Sequence, residues 1–128
     1  MTDEEINALT DQQINVMMTA AVNELHDSYH ESGDDKTKIY QWYSSDELRE
    51  FKVEDYCNDP AVMMPIAAKQ GIGMAFDSDE TVTAFAVDGG VTVWMGECDF
   101  ETDLYHKEDS DKYCRSLAIV YLKMREVL

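Results

Sequence analysis

The chain has 128 residues, 45% of them hydrophobic, and 27 acidic against 10 basic side chains give it a formal net charge of −17. That length fits one domain with one core, spanning 1–128, and that composition excludes a chain disordered throughout. The charge excludes direct binding to nucleic acid or to an anionic membrane, both of which would repel it.

No stretch approaches the roughly 18–20 consecutive apolar residues that a membrane span needs, and the opening MTDEEINALT lacks the basic region and apolar run of a signal peptide. The expectation is therefore a cytoplasmic protein. Cys57, Cys98 and Cys114 form an odd set without C-x-x-C spacing, which points to reduced thiols rather than to a disulfide framework or a zinc site.

In chain order, Thr2 with Glu5 and Thr10 with Gln13 both have capping-box spacing, predicting a short helix and then a longer one. In the longer one Ile14, Met17, Met18, Ala21, Val22 and Leu25 form an apolar stripe. Residues 26–38 are polar, contain Gly33 and read as a loop. Ile39–Tyr43 is a candidate strand, and Ser44 with Glu47 is a further capping-box pair that predicts a short helix through Phe51. Asp59 and Pro60 have the character of an N-cap and first helical position, opening a helix that stops at Gly71 and that Pro65 should kink or restart.

From Gly71 the period changes to two. GIGMAF, TVTAFAV and GVTVWMG predict an antiparallel meander of three strands, with Asp88-Gly89-Gly90 as the tight turn between the last two. Residues 97–111 read as an acidic loop. Asp109 or Ser110 should cap a final helix whose Tyr113, Leu117, Val120, Tyr121, Met124 and Leu128 share a face. Helices flanking a small, mainly antiparallel sheet give the α/β class.

Three segments carry a resemblance. Asp55-Tyr56-Cys57-Asn58-Asp59-Pro60, continuing to Pro65 and Ile66, resembles the D-Y-C-N-x-P…P-I signature of the phage ABA sandwich domain family, with Met64 where relatives often have Trp. Arg115–Glu126 is similar to that family's closing helix, and Leu9–Asn15 to its first. The resemblance implies a small accessory protein of a tailed phage or prophage with a three-layer α/β/α sandwich. It implies no activity and no catalytic residue.

The candidate sites each have a plainer explanation. Tyr56, Cys57 and Asn58 are pocket candidates, but Asn58 and Asp59 also suit a helix start with Tyr56 and Cys57 packed beneath it. His26 and His30 have metal-ligand spacing if both lie on one helix, yet a lone H-x-x-x-H is more simply two solvated histidines. The acidic groups Asp77, Asp79, Glu80 and Asp99, Glu101, Asp103 lack the glycine and terminal glutamate of a calcium loop. Ser44, Ser45 and Ser110 have no G-x-S-x-G context, and Cys98 has only His106 near it in sequence. Trp42, Trp94 and the pairs Met17-Met18 and Met63-Met64 suit either a core or an adaptable interface. No cofactor and no metal site is expected, and the chain reads as no enzyme.

The charge is most informative when it is located. Residues 1–35 hold nine acids and residues 70–106 hold eight, with no lysine or arginine in either stretch, so the two account for the whole of −17. Such segregation points to an acidic face, with Asp77, Asp79, Glu80, Glu97, Asp99, Glu101 and Asp103 as its candidate residues, that meets a host protein with a basic surface. A nucleic-acid-binding groove of a CRISPR effector or restriction enzyme, blocked by DNA mimicry, is the leading target. The alternatives are a sponge holding a nucleotide-type signalling molecule beside Tyr56 and Asn58, and a soluble structural or interaction protein. Homo-oligomerisation stays open.

Overall fold

In the computed structural model, which describes residues 2–25, 28–34, 38–44, 46–76, 81–86, 100–106 and 113–128, the chain opens with helices α1 (Asp3–Ala8) and α2 (Asp11–Val22). Each begins with its capping box. Thr2 Oγ1 accepts from the Glu5 amide while Glu5 Oε1 accepts from the Thr2 amide, and Thr10 and Gln13 exchange the same two bonds at 3.1 and 2.8 Å. Reciprocal satisfaction of the first donors lets two short helices follow each other with only Leu9 and Thr10 between them.

Strands β1 (His30–Ser32), β2 (Ile39–Ser44) and β3 (Glu47–Glu50) then form an antiparallel sheet in that order. Two expectations are corrected here. The segment 26–38 is not loop throughout, because His30, Glu31 and Ser32 pair with Gln41, Tyr40 and Ile39. Nor do Ser44 and Glu47 open a helix: they face each other across the β2–β3 turn, followed by Tyr43 opposite Leu48 and Trp42 opposite Arg49. The S-x-x-E spacing of a capping box is also that of the first and last residues of a turn. Glu47–Glu50 is exposed throughout and has no apolar stripe to bury as a helix, whereas pairing with β2 extends a strand whose Tyr40 and Trp42 are buried. The same finding removes His30 from any helical face, since α2 ends at Val22; His26 lies outside the described residues.

Helix α3 (Pro60–Gln70) starts as predicted, with the Asp59 carboxylate accepting from the Ala61 amide at 3.0 Å and Pro60 at the first position. It runs through Pro65 as one element. Pro65 and Ala61, whose carbonyl loses its partner to the proline, are both exposed, so water can satisfy that carbonyl. Gly71 closes the helix in the left-handed conformation at φ 72°.

A second antiparallel sheet follows, β4 (Gly73–Phe76), β5 (Thr81–Ala86) and β6 (Phe100–His106), in that order. The first two strands are those read from GIGMAF and TVTAFAV, while the GVTVWMG run and the Asp88-Gly89-Gly90 turn lie outside the described residues. Strand β6 corrects the acidic loop assigned to 97–111. Phe100, Thr102 and Leu104 alternate with Glu101 and Asp103, a strand period that the density of carboxylates conceals. Val82 pairs with Tyr105 but Thr83 with Asp103, which leaves Leu104 as the extra residue of a bulge.

Helix α4 (Tyr113–Met124) packs against α2 and α3 and against β5 and β6. Its proposed caps, Asp109 and Ser110, lie outside the described residues. Contacts with helices and sheet together explain why its burial is broader than one face: every residue from Ser116 to Leu122 is buried, while Tyr113 and Met124 are only partly so. The main core joins Ile6, Ile14, Met18, Met63, Leu117 and Ile119; a smaller one joins Val16, Tyr40 and Trp42. Helix α2 serves both, and the architecture is mixed α/β with small antiparallel sheets. Met18, Met63 and Trp42 are fully buried, whereas Met64 is 40% exposed.

Gly71 tests the helix-end geometry. A Cβ there would meet nothing within 4 Å, so Gly71→Ala should destabilise by about 1 kcal/mol from backbone conformation alone, measured by denaturant unfolding.

Candidate functional site

The segment 55–60 is held by polar bonds to α2. Asn15, only 5% exposed, donates through Nδ2 to Asp55 Oδ1 at 3.2 Å and accepts the Cys57 backbone N–H at 3.1 Å. Asn58 Nδ2 donates to Asp55 Oδ1 at 3.1 Å and to Asp11 Oδ2 at 3.2 Å. The turn closes on itself through the Asp59 amide, which donates to the Asp55 carbonyl at 2.9 Å. Arg115 completes the cluster from α4. Its guanidinium donates to Asp11 Oδ1 at 2.8 Å and to the carbonyl of Leu9 at 2.7 Å, with those of Ile6 and Asn7 at 3.5 Å. A cation at the end of α1 and a carboxylate in the first turn of α2 also match the two helix dipoles.

Tyr56 and Cys57 are buried beneath this turn and Asn58 is exposed. Burial, reinforced by the Asp11 carboxylate, pushes the Cys57 thiol up to about 12, and burial raises Cys114 and Tyr56 as well. A thiol kept protonated is a poor nucleophile and a poor metal ligand. Cys57 and Cys114 are free; Cys98 lies outside the described residues. The polar groups of Asp55, Cys57 and Asn58 thus bond to α2 and to one another.

Two clefts lie elsewhere, and Tyr56, Cys57 and Asn58 line neither. One, of ≈ 540 Å³, runs between α2 and the end of α4 over an apolar floor that includes Val16, Met17, Ala20 and Leu25. The other, of ≈ 480 Å³, lies beside β2, where Lys38 and Lys52 flank Tyr40 and Phe51. Gln12 Nε2 donates to the Tyr40 hydroxyl at 3.1 Å there, Lys38 pairs with Glu31 at 2.8 Å and Lys52 with Glu54 at 3.7 Å.

Of the candidate acidic face, Asp77, Asp79, Glu80, Glu97 and Asp99 lie outside the described residues. Glu101 and Asp103 are two positions apart in β6, opposite Phe85 and Thr83. Several acids of the first 35 residues have local roles: Glu5 caps α1, Asp11 holds Arg115 and Glu31 holds Lys38. Hydrogen bonds from Thr2 keep the Glu5 carboxyl below its usual range. Among the described residues no group of three or more His, Cys, Asp or Glu side chains is placed to hold a metal ion, and no helix is long and apolar enough to cross a membrane. Sequence reasoning missed Asn15 and the bonds of Arg115 to Asp11 and Leu9. The available signals were an amide on the apolar side of a helix and a single cation opening an apolar one.

A scan against protein-family models, a search of curated proteins and a search of solved structures each found no match.

Three outcomes follow from the polar cluster. Asn15→Ala strands a buried backbone N–H and should cost about 2 kcal/mol, read from chemical denaturation. Arg115→Lys keeps the charge but loses the planar fork, so it should recover less than half of the roughly 2 kcal/mol lost in Arg115→Ala. Alkali should weaken the fold: the Cys57 thiol rises from an ordinary 9.0 to about 12, so the folded chain retains a proton that the unfolded chain releases between those values. Stability is full below the ordinary thiol range and falls as pH rises through it, and Cys57→Ser should flatten that decline in melting curves.

Proposed function

We propose that this chain is a non-enzymatic accessory protein of a tailed phage or prophage, of the phage ABA sandwich domain family with its three-layer α/β/α arrangement. It acts in the host cytoplasm and binds a host protein through an acidic surface. The target is a basic, nucleic-acid-binding groove of a defence protein, of the CRISPR or restriction type, which the carboxylates occupy in place of phosphates. One observation carries this reading: the whole net charge of −17 lies in residues 1–35 and 70–106, neither of which contains a lysine or arginine. The position of Glu101 and Asp103 supports it further, because β6 stands at the end of its sheet order among the described residues. The raised Cys57 thiol speaks against that side chain as a nucleophile.

A second reading has one specific observation in its favour. A nucleotide-type ligand needs cations and rings, and the cleft beside β2 is lined by Lys38 and Lys52, paired with Glu31 and Glu54, and by Tyr40, Phe51 and Glu50, away from Tyr56 and Asn58.

Affinity capture from host lysate at low and at high salt, with proteins and small molecules both identified by mass spectrometry, separates the two. The acidic-face reading expects a basic protein bound at low salt and released at high salt, while a co-purifying nucleotide favours the sponge. Salt should also strengthen the free protein, by screening carboxylate repulsion, while it weakens the complex. Reversing Asp99, Glu101 and Asp103 to lysine should preserve or raise thermal stability and slow association with the captured protein. An affinity flat in salt and indifferent to these reversals overturns the reading.

A further inference from the structure

Three helices of this chain end in the same way, and two of them use an unexpected residue to do so. The last turn of α2, α3 and α4 is closed by an amide five residues past its acceptor carbonyl: Leu25 to Ala20 at 2.8 Å, Ile72 to Ala67 at 2.9 Å and Val127 to Leu122 at 2.9 Å. The residue before each donor has positive φ, namely Glu24 at 55°, Gly71 at 72° and Glu126 at 58°. Glycine is the ordinary occupant of that position because a Cβ crowds the left-handed conformation. Glutamate is disfavoured there twice, since a helix C-terminus is already the negative end of its dipole. The last turn of α2 has no basic residue, and that of α4 has Lys123 alone.

Both glutamate-terminated ends meet at one place. Leu25 and Val127, the aliphatic residues that complete the two motifs, line the ≈ 540 Å³ cleft together with Val16, Met17, Ala20 and Tyr29. Glu126 lines it as well, Glu24 immediately precedes Leu25, and both carboxylates are exposed. Arg125 is the cation of the lining, and it keeps its charge while Nε donates to the Tyr121 hydroxyl at 3.2 Å and the group lies 5.6 Å from that ring. Tyr29 and Val127 remain 42% and 37% exposed. An apolar floor is thus edged by the Glu126 carboxylate and two helix C-termini, with Glu24 next to the lining residue Leu25 and Arg125 as the cation among the lining residues.

From this geometry we infer that the cleft is the docking site for a basic amphipathic segment of a protein partner, whose apolar side chains fill the floor while its lysines or arginines meet Glu24, Glu126 and the two helix ends. A second copy of the chain does not fit this role, because it would bring −17 against −17. The inference rests on the premise of the proposed function that the partner is basic, but it places the contact on the helical side of the molecule and not on β6.

The test is fluorescence anisotropy with a labelled peptide of leucine and lysine, its leucines at i, i+3, i+4 and i+7, against a scrambled peptide of the same composition. The ordered peptide should bind at least about tenfold more tightly than the scrambled one. Replacing both glutamates, Glu24→Gly with Glu126→Gly, should raise the Tm by about 3 °C or more and yet weaken the ordered peptide about tenfold. Val127→Glu adds a negative charge at an exposed position and should also weaken it, which attraction by charge alone would not do. Equal binding of the two peptides, or undiminished binding by the glycine variant, overturns the inference. So does a dimer of the free protein in sedimentation that Val127→Glu abolishes. If reversal of Asp99, Glu101 and Asp103 impairs capture of the host protein while the cleft variants leave peptide binding intact, the acidic face stands and the cleft fails; the converse pattern removes the acidic face and keeps the cleft.

Discussion

The side-chain amide of Asn15 cannot be left unpaired where it lies, and the backbone N–H of Cys57 is under the same constraint. Both are shielded from water, and a buried polar group without a partner costs roughly 1–3 kcal/mol. Each satisfies the other across 42 residues, and the second half of the amide is satisfied by Asp55. Apolar packing has no direction of its own, so Ile14, Met18, Met63 and Leu117 would tolerate several offsets of α2 against α3 and α4. The bonds from Asn15 and those of Arg115 to Asp11 and the Leu9 carbonyl select one. The turn at 55–59 is in that sense the registration mark of the helical layer.

Features set within four or five residues were legible in the sequence, and features set by distant partners were not. Both capping boxes, the Asp59-Pro60 start and the Gly71 stop form from local hydrogen bonds, and each stands where the pattern put it. Strand β3 was misread because Ser44 and Glu47 have a spacing with two uses, and only the aromatic partner strand decides between them. Strand β6 was misread because four of its seven residues are polar or charged, so composition outweighed the alternation. Arg115 is separated from Asp11 by 104 residues, and no local pattern announces that pair. The bonds of Asp55, Cys57 and Asn58 to Asn15 and Asp11 were not legible for the same reason: their partners come from α2.

Location along the chain is also an imperfect guide to where charge acts. The first 35 residues carry nine acids and no base, yet Asp11 is met by Arg115 and Glu31 by Lys38, both from segments whose charges balance on paper. Glu24 and Glu126 end two helices where a cation would be favoured. Their conformation is the one that Gly71 adopts without strain, so the chain contains its own comparison for what those two positions give up.

The burial of α4 has a consequence for how the molecule comes into being. Residues 113–124 touch α2 and α3 as well as β5 and β6, so the main core closes only when that helix is in place, whereas the smaller core of Val16, Tyr40 and Trp42 contains no residue of it. A nascent chain that has emerged only as far as β6 lacks Leu117 and Ile119, which share the main core with Ile14, Met18 and Met63, and its second sheet lacks the helix that β5 and β6 touch. Folding of this layer therefore waits on α4, and the interval before that helix docks is when the chain is most open to chaperones, to proteases and to association with its own copies, against which a strongly negative charge is itself a protection.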